Sequence, residues 1–263
     1  MAKAILYDAT KCTACRGCQA ACKQWNDLEA DITTNTGSYE NPPDLSPRTW
    51  LKMRFTEVGN NGSLAWLFTR RACMHCTDAG CVKVCPTKAV FHHDLGFVAY
   101  DKDKCTGCGY CVEACPFDVP RLDGSRLTGK AKMFKCIFCI DRVTSGLEQP
   151  ACVKTCPPGA LDFGNRDEMI VEADKRISKL AEQGIEAQLY GRNELDGLHV
   201  MYVLAYSPED HKLPAKPKVS PATTLWQDIL QPVGYGVVGI VAAGLALNYM
   251  VARARMIREK EGK

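Results

Sequence analysis

Sixteen cysteines are the residues of this 263-residue chain whose type and spacing could do chemistry. They fall into four sets: Cys12, Cys15, Cys18 and Cys22; Cys73, Cys76, Cys81 and Cys85; Cys105, Cys108, Cys111 and Cys115; and Cys136, Cys139, Cys152 and Cys156. The first and third sets read C-x2-C-x2-C-x3-C, and Pro116 after the third completes the run that holds a 4Fe-4S cluster in bacterial ferredoxins. The second and fourth widen the middle gap but keep the closing x3-C-P, in Cys85-Pro86 and Cys156-Pro157. Three thiolates two residues apart on a tightly wound loop can grip three corners of one iron-sulfur cube. Gly17, Gly107 and Gly109 ease that winding, because a residue without a β-carbon tolerates unusual backbone angles. Each proline after a fourth cysteine fixes its own φ, offers no N–H and helps turn the chain away.

Pairs of the form C-x2-C also bind zinc, so a zinc-stabilised membrane scaffold is a competing reading. Zinc ribbons separate two such pairs by a long loop, however, and seldom crowd a third cysteine two residues on with a fourth before proline. The chain opens "MAKAILYDATKC" with no apolar run of secretory length, whereas a disulfide framework belongs to small secreted domains. The net charge of +3 is too even for a nucleic-acid binder. There is no G-x-G-x-x-G after a strand for a dinucleotide, no P-loop and no nucleophile-base set, so no catalytic centre is expected in this chain. Arg16, Lys23, Lys83, Lys135 and Lys154 lie beside cysteines, where they would offset the charge of thiolate-bound clusters, and His75 sits inside "CMHC".

Two features of the intervening sequence suggest how the sets combine. "AILYDATKCTACRGCQAAC" and "FVAYDKDKCTGCGYCVEAC" repeat a short strand, an Asp and the same cysteine spacing, and each of Cys85-Pro86 and Cys156-Pro157 is followed by a small residue and an apolar strand. In two-cluster ferredoxins the fourth cysteine of each run ligates the other cluster. Between Cys85 and Cys105 there is room for a strand, a turn around His93-Asp94-Leu95-Gly96 and a returning strand, so the second and third sets read as an inner ferredoxin unit. The strand before Cys12 and the strand after Cys156 then pair to close an outer unit around it. The expected ligand groups are Cys12, Cys15, Cys18 and Cys156; Cys136, Cys139, Cys152 and Cys22; Cys73, Cys76, Cys81 and Cys115; and Cys105, Cys108, Cys111 and Cys85. Consecutive pairing of the sets, first with second and third with fourth, is the alternative.

The remaining segments position these units. The expected architecture is α+β, two nested bacterial-ferredoxin-like units with an inserted hairpin, a small α/β extension and one C-terminal transmembrane helix. Residues 1–24 and 127–165 form the outer unit and 72–126 the inner one. Residues 25–71 are an insertion, with alternating apolar runs around Gly59-Asn60-Asn61-Gly62 as a hairpin, either a docking surface or a lid over the inner unit. Residues 166–207 are a helix-strand extension, with Met169, Ile170, Ala173, Ile177 and Leu180 at helical spacing and Gly184 as the stop. Residues 208–224 read as a Pro-rich linker and 225–252 as the membrane helix, because the 21 residues from Pro232 to Ala252 carry no charge. Residues 253–263 form a basic tail with Arg253, Arg255, Arg258, Lys260 and Lys263, which the positive-inside rule places in the cytoplasm with the cluster domain on the outer, periplasmic face. A folded, cluster-filled domain there would cross bound to a partner that carries the export signal.

Together "CRGCQAACKQWND", "ENPPDLSPRTW", "RRACMHC", "CGYCVEACPFDVPRL", "CIFCIDRV", "ACVKTCPPGAL" and the C-terminal span resemble the iron-sulfur (beta) subunit of membrane-bound respiratory formate dehydrogenase over nearly the whole chain. Related four-cluster subunits serve nitrate, dimethyl sulfoxide, tetrathionate and polysulfide reductases, so the same conduit for another such enzyme is the rival within this class. The resemblance implies four 4Fe-4S clusters and no catalysis by the chain itself. It also implies a hetero-oligomer in the cytoplasmic membrane, with a molybdenum or tungsten pterin catalytic subunit that carries a twin-arginine signal, and a cytochrome b that passes electrons to quinone.

Overall fold

The computed structural model describes residues 1–60, 63–125, 128–146, 149–225 and 229–261. In chain order the elements are β1 (Lys3–Asp8), α1 (Gly17–Trp25), β2 (Lys52–Asn60), β3 (Ser63–Arg71), α2 (Gly80–Lys83), β4 (Val90–His92), β5 (Val98–Tyr100), α3 (Tyr110–Glu113), β6 (Arg121–Asp123) and β7 (Lys132–Phe134). They continue with α4 (Ile140–Thr144), α5 (Ala151–Lys154), β8 (Leu161–Asn165), α6 (Arg166–Glu182), β9 (Gln188–Tyr190), β10 (Val200–Leu204), α7 (Pro221–Leu225) and α8 (Gln231–Glu261). The chain divides into two compact units, Met1–Val219 and Ser220–Lys263.

The first unit is built on β1. Ala4, Ile5, Leu6 and Tyr7 are all buried, so this strand is apolar on both faces, as a strand covered on both sides requires. On one edge β8 pairs antiparallel, with Ile5 opposite Phe163, and on the other β10 pairs parallel, with Ile5 opposite Val200. β9 joins β10 to give the order β8-β1-β10-β9. On one face Met169, Ala173 and Leu180 of α6 pack against Ala4, Leu6, Met201 and Val203. The opposite face, with Ile5, Tyr7, Val200 and Tyr202, belongs to the same core as Cys18, Cys22, Cys136 and Cys152. Residues 166–207 are therefore not a separate extension. An apolar strand has two edges to satisfy, β8 fills one, and β10 fills the other within the same sheet.

A second, smaller core lies around the pair β4-β5, where Phe91 stands opposite Ala99. Val90 and Val98 pack there with Ala79, Val84, Ala114 and Met133. The short pair β6-β7, with Leu122 opposite Met133, is an addition that three-residue strands do not announce in sequence.

β2 and β3 pair antiparallel from Lys52–Arg71 to Asn60–Ser63, and Asn61 and Gly62 of the expected turn lie outside the described residues. This ribbon leans on the main sheet and is no lid over the inner segment alone: the Tyr7 hydroxyl donates to the Phe68 carbonyl at 2.7 Å, and that of Tyr202 to the Arg70 carbonyl. Arg71 joins it to the inner segment through Asp118 at 2.9 Å.

Residues 208–219 also depart from expectation, since they pack on the first unit and are not a free linker. His211 is buried with Nδ1 2.7 Å from Thr69 Oγ1, Leu213 and Val219 lie on the core, and the Tyr190 hydroxyl donates to the Pro214 carbonyl at 2.8 Å. These anchors hold the segment in place despite its prolines.

In the second unit, Pro232–Ala254 supplies 23 helical residues, without charge as far as Ala252, or ~35 Å at ~1.5 Å per residue, enough to cross bilayer hydrocarbon of ~30 Å. The basic residues that follow continue the helix to Glu261, while residues 226–228 of the expected span and 262–263 of the tail lie outside the described residues. Val233, Ile240, Leu245 and Met250 are all exposed, and an apolar surface of this kind requires lipid or partner helices around it.

Burial pushes the His211 imidazole down to about 4, with Asp210 pulling weakly the other way. Its folded value lies below the unfolded one, so its contribution is complete above about pH 6.5 and lost as pH falls toward 4, by at most about 1.4 kcal/mol per pH unit. His211→Asn is expected to lower the melting temperature at pH 7.5, and the gap to wild type should close as melts are repeated toward pH 4.5.

Candidate metal centres

The four cysteine loops share one backbone device. In each C-x2-C the residue before the second cysteine is left-handed: Ala14 at φ 53°, His75 at 50°, Gly107 at 68° and Phe138 at 62°. That turn points amides at sulfur, with Ala14 N–H donating to Cys12 Sγ and Phe138 N–H to Cys136 Sγ, each at 3.4 Å. In the first and third loops a second left-handed residue follows, Arg16 at 61° and Gly109 at 88°. Gly17 does not have this conformation. It opens α1, and Arg16 makes the turn assigned to it from sequence. The repeated aspartates match as well, for Asp8 accepts from Thr10 N–H and Asp101 from Asp103 N–H, both at 2.9 Å.

Helix ends explain the prolines. α2, α3 and α5 stop at Lys83, Glu113 and Lys154, two residues before the Cys-Pro pairs at Cys85, Cys115 and Cys156. The first set has no proline, and α1 runs past Cys22 to Trp25.

Cysteines from distant segments meet. One small cavity is lined by Cys12, Cys15, Cys18 and Cys156, and another by Cys22, Cys136, Cys139 and Cys152. Charge neighbours give the other two gatherings. Burial raises the Cys76 thiol, followed by Cys73, Cys115 and Cys81. Burial likewise pushes Cys111 up to about 12, followed by Cys108, Cys105 and Cys85. Across gatherings, Cys152 adds to the effect of burial on Cys18, Cys136 to that on Cys73, and Cys111 to that on Cys81. Cys15 and Cys108 are the exposed members, whereas Cys22, Cys136, Cys139 and Cys152 are all buried.

The donor sets fit iron-sulfur cubes better than single ions. Among the described residues, no three His, Cys, Asp or Glu side chains converge as ligands of one metal ion. Tetrahedral zinc needs four donors at ~2.0–2.3 Å from a single point, whereas a cube holds its thiolates on separate iron corners. The electrostatics agree, because the core contains cations that call for an anion. Arg70 is 1% exposed, none of its three guanidinium nitrogens has a hydrogen-bond partner of ordinary geometry, and the side chains it acts on are the Cys152 thiol and the Tyr202 hydroxyl. Lys135, also 1% exposed, donates to the carbonyls of Val98 at 2.7 Å and Cys136 at 3.0 Å, and it pulls down the buried Cys73 and Cys81 thiols.

Of the other cations singled out by position, Lys83 pairs with Asp78, Arg16 lies over the Phe55 ring, Lys23 reaches Asp31 at 3.3 Å, and Lys154 is exposed. His75 is buried, with Nδ1 3.0 Å from the Val98 carbonyl and Nε2 without a partner. Arg70 is absent from the sequence reading. Strand alternation gave no signal for it, since it shares a face of β3 with Phe68 and the exposed Trp66, opposite the buried Leu67 and Thr69.

A Cβ on Gly107 would lie 2.2 Å from the Ala131 carbonyl oxygen at a positive φ, whereas Gly159, at φ +61°, has nothing within 4 Å. Gly107→Ala is therefore expected to cost about 2–4 kcal/mol and to lower the iron-to-protein ratio of the purified complex. Gly159→Ala should cost only about 1 kcal/mol and leave iron content unchanged.

Family comparisons agree with these centres. Models described as 4Fe-4S dicluster domain match residues 64–166 and 11–89, and one described as formate dehydrogenase N, transmembrane, matches 219–261. The iron-sulfur subunit of nitrate-inducible formate dehydrogenase from Escherichia coli is 41% identical over 94% of this chain and 84% of its own length. A formate dehydrogenase iron-sulfur subunit from Haemophilus influenzae is 42% identical over 94% of this chain and 80% of its own. The beta subunit of formate dehydrogenase 2 (cytochrome c-553) from Nitratidesulfovibrio vulgaris is 39% identical over 80% and 97%. With its cysteine loops, its C-terminal apolar helix and this likeness along most of its length, the chain belongs to the iron-sulfur subunits of formate dehydrogenase, which transfer electrons and do not themselves catalyse.

Proposed function

We propose that this subunit carries four 4Fe-4S clusters in two nested ferredoxin units and conducts electrons from a molybdenum or tungsten pterin catalytic subunit to a membrane cytochrome b and quinone. The ligand groups are Cys12, Cys15, Cys18 and Cys156; Cys22, Cys136, Cys139 and Cys152; Cys73, Cys76, Cys81 and Cys115; and Cys85, Cys105, Cys108 and Cys111. The observation that carries this reading is that Cys156 shares a cavity with the first set and Cys22 with the fourth, which favours crossed over consecutive pairing. When bound, such a cluster accepts and releases one electron with little rearrangement, because charge spreads over its metal and sulfur atoms.

The protein's part is to set the spacing. Proximity of Cys111 to Cys81, of Cys73 to Cys136 and of Cys152 to Cys18 supports a single row of groups. The exposed Cys108 and Cys15 then fall in its two end groups, where partners would contact it. The basic residues after Pro232–Ala254 support a cytoplasmic C-terminus, with the cluster domain on the periplasmic face.

Two measurements test this. Cys22→Ser is expected to perturb the same electron paramagnetic resonance signal as Cys139→Ser and not that altered by Cys76→Ser; agreement with Cys76→Ser instead would establish consecutive pairing. The intact complex should reduce a dye acceptor with formate and contain about sixteen iron atoms in this subunit, four per cluster. A colourless, zinc-loaded protein, or one without formate-dependent reduction, would reject the role.

A further inference from the structure

The orphaned guanidinium of Arg70 lies at the boundary of two cysteine groups. Arg70 lines the cavity of Cys22, Cys136, Cys139 and Cys152. Directly across the β2-β3 ribbon its partner is Met53, which lines the cavity of Cys12, Cys15, Cys18 and Cys156 and sits with Sδ 3.7 Å from Cys18 Sγ. The hydroxyl of Tyr202 fixes the Arg70 carbonyl from below. A buried cation without a partner is costly, and an arginine keeps its charge at any physiological pH, so its natural counterpart is negative charge on both sides.

We propose that Arg70 sets the reduction potentials of these two centres together. Each gains one negative charge when it takes up an electron, and the shared cation stabilises that charge at either site. Both potentials are thereby raised, and transfer between the two is kept close to level. The inference rests on the four-cluster reading above.

The test is a redox titration of the intact membrane complex, followed by electron paramagnetic resonance, in wild type, Arg70→Lys and Arg70→Gln. Cys18→Ser and Cys139→Ser identify the two signals concerned. In Arg70→Gln both of these midpoints are expected to fall, while the group of Cys85, Cys105, Cys108 and Cys111, two places along the row, keeps its own. Arg70→Lys, which retains the charge, should stay near wild type. Unmoved midpoints in Arg70→Gln, or an equal fall in all four, overturn the proposal. Should Arg70→Gln fail to retain its clusters, protein labelled with 15N in its arginine guanidinium groups decides the matter. Pulsed resonance should then show a 15N coupling to the reduced centres that Arg70→Lys lacks, and its absence overturns the proposal. Fewer than four signals in wild type would sink the four-cluster reading, and this inference with it.

Discussion

The pairing of β1 with β8 is the contact on which the rest depends. It joins segments more than 150 residues apart, with Lys3 Nζ 3.0 Å from Asn165 Oδ1 at its far end. Cys12 follows one strand and Cys156 precedes the other, so the ladder delivers both thiols to one cavity. Long-range closure of this kind is slow and entropically costly, and β1 offsets the cost by burying apolar side chains on both faces. The paired strands thus close a loop of chain that contains every residue from 12 to 156, the segment of β4-β5 among them.

Within that frame, burial and charge act against each other. Enclosing the sulfurs removes water from around them and pushes Cys18 and Cys139 up to about 12 and Cys115 up to about 11. Thiols in such surroundings favour the protonated form, which iron cannot use as a ligand. Arg70 and Lys135 answer this by supplying positive charge from inside the core, where it is little screened. Amides turned toward sulfur by left-handed residues add to the same effect.

Much of this organisation was legible in the cysteines, because ligand spacing is a local property that a short loop must satisfy by itself. The strands next to Cys12 and Cys156 were legible as apolar runs, and α6 as a 3.6-residue period. What escaped is non-local or against type. β10 pairs with β1 in parallel, and nothing within either strand says so. Arg70 and Lys135 are charged residues whose default place is the surface, and their burial follows from anions contributed by other segments. Residues 208–219 look like a linker by proline content, yet His211 and Leu213 find partners on Thr69 and the core. Arg16 makes a turn where glycine would be the natural choice, a placement that only the fold can justify.

The openness of Cys15 and Cys108 has a further meaning for the isolated polypeptide. A route open to a docking carrier is equally open to dioxygen, which reaches a sulfur at the rim before one in the interior. In the proposed row, corrosion in air would start at both extremities and advance inward, and partners seated there would be at once the electrical terminals and the seals.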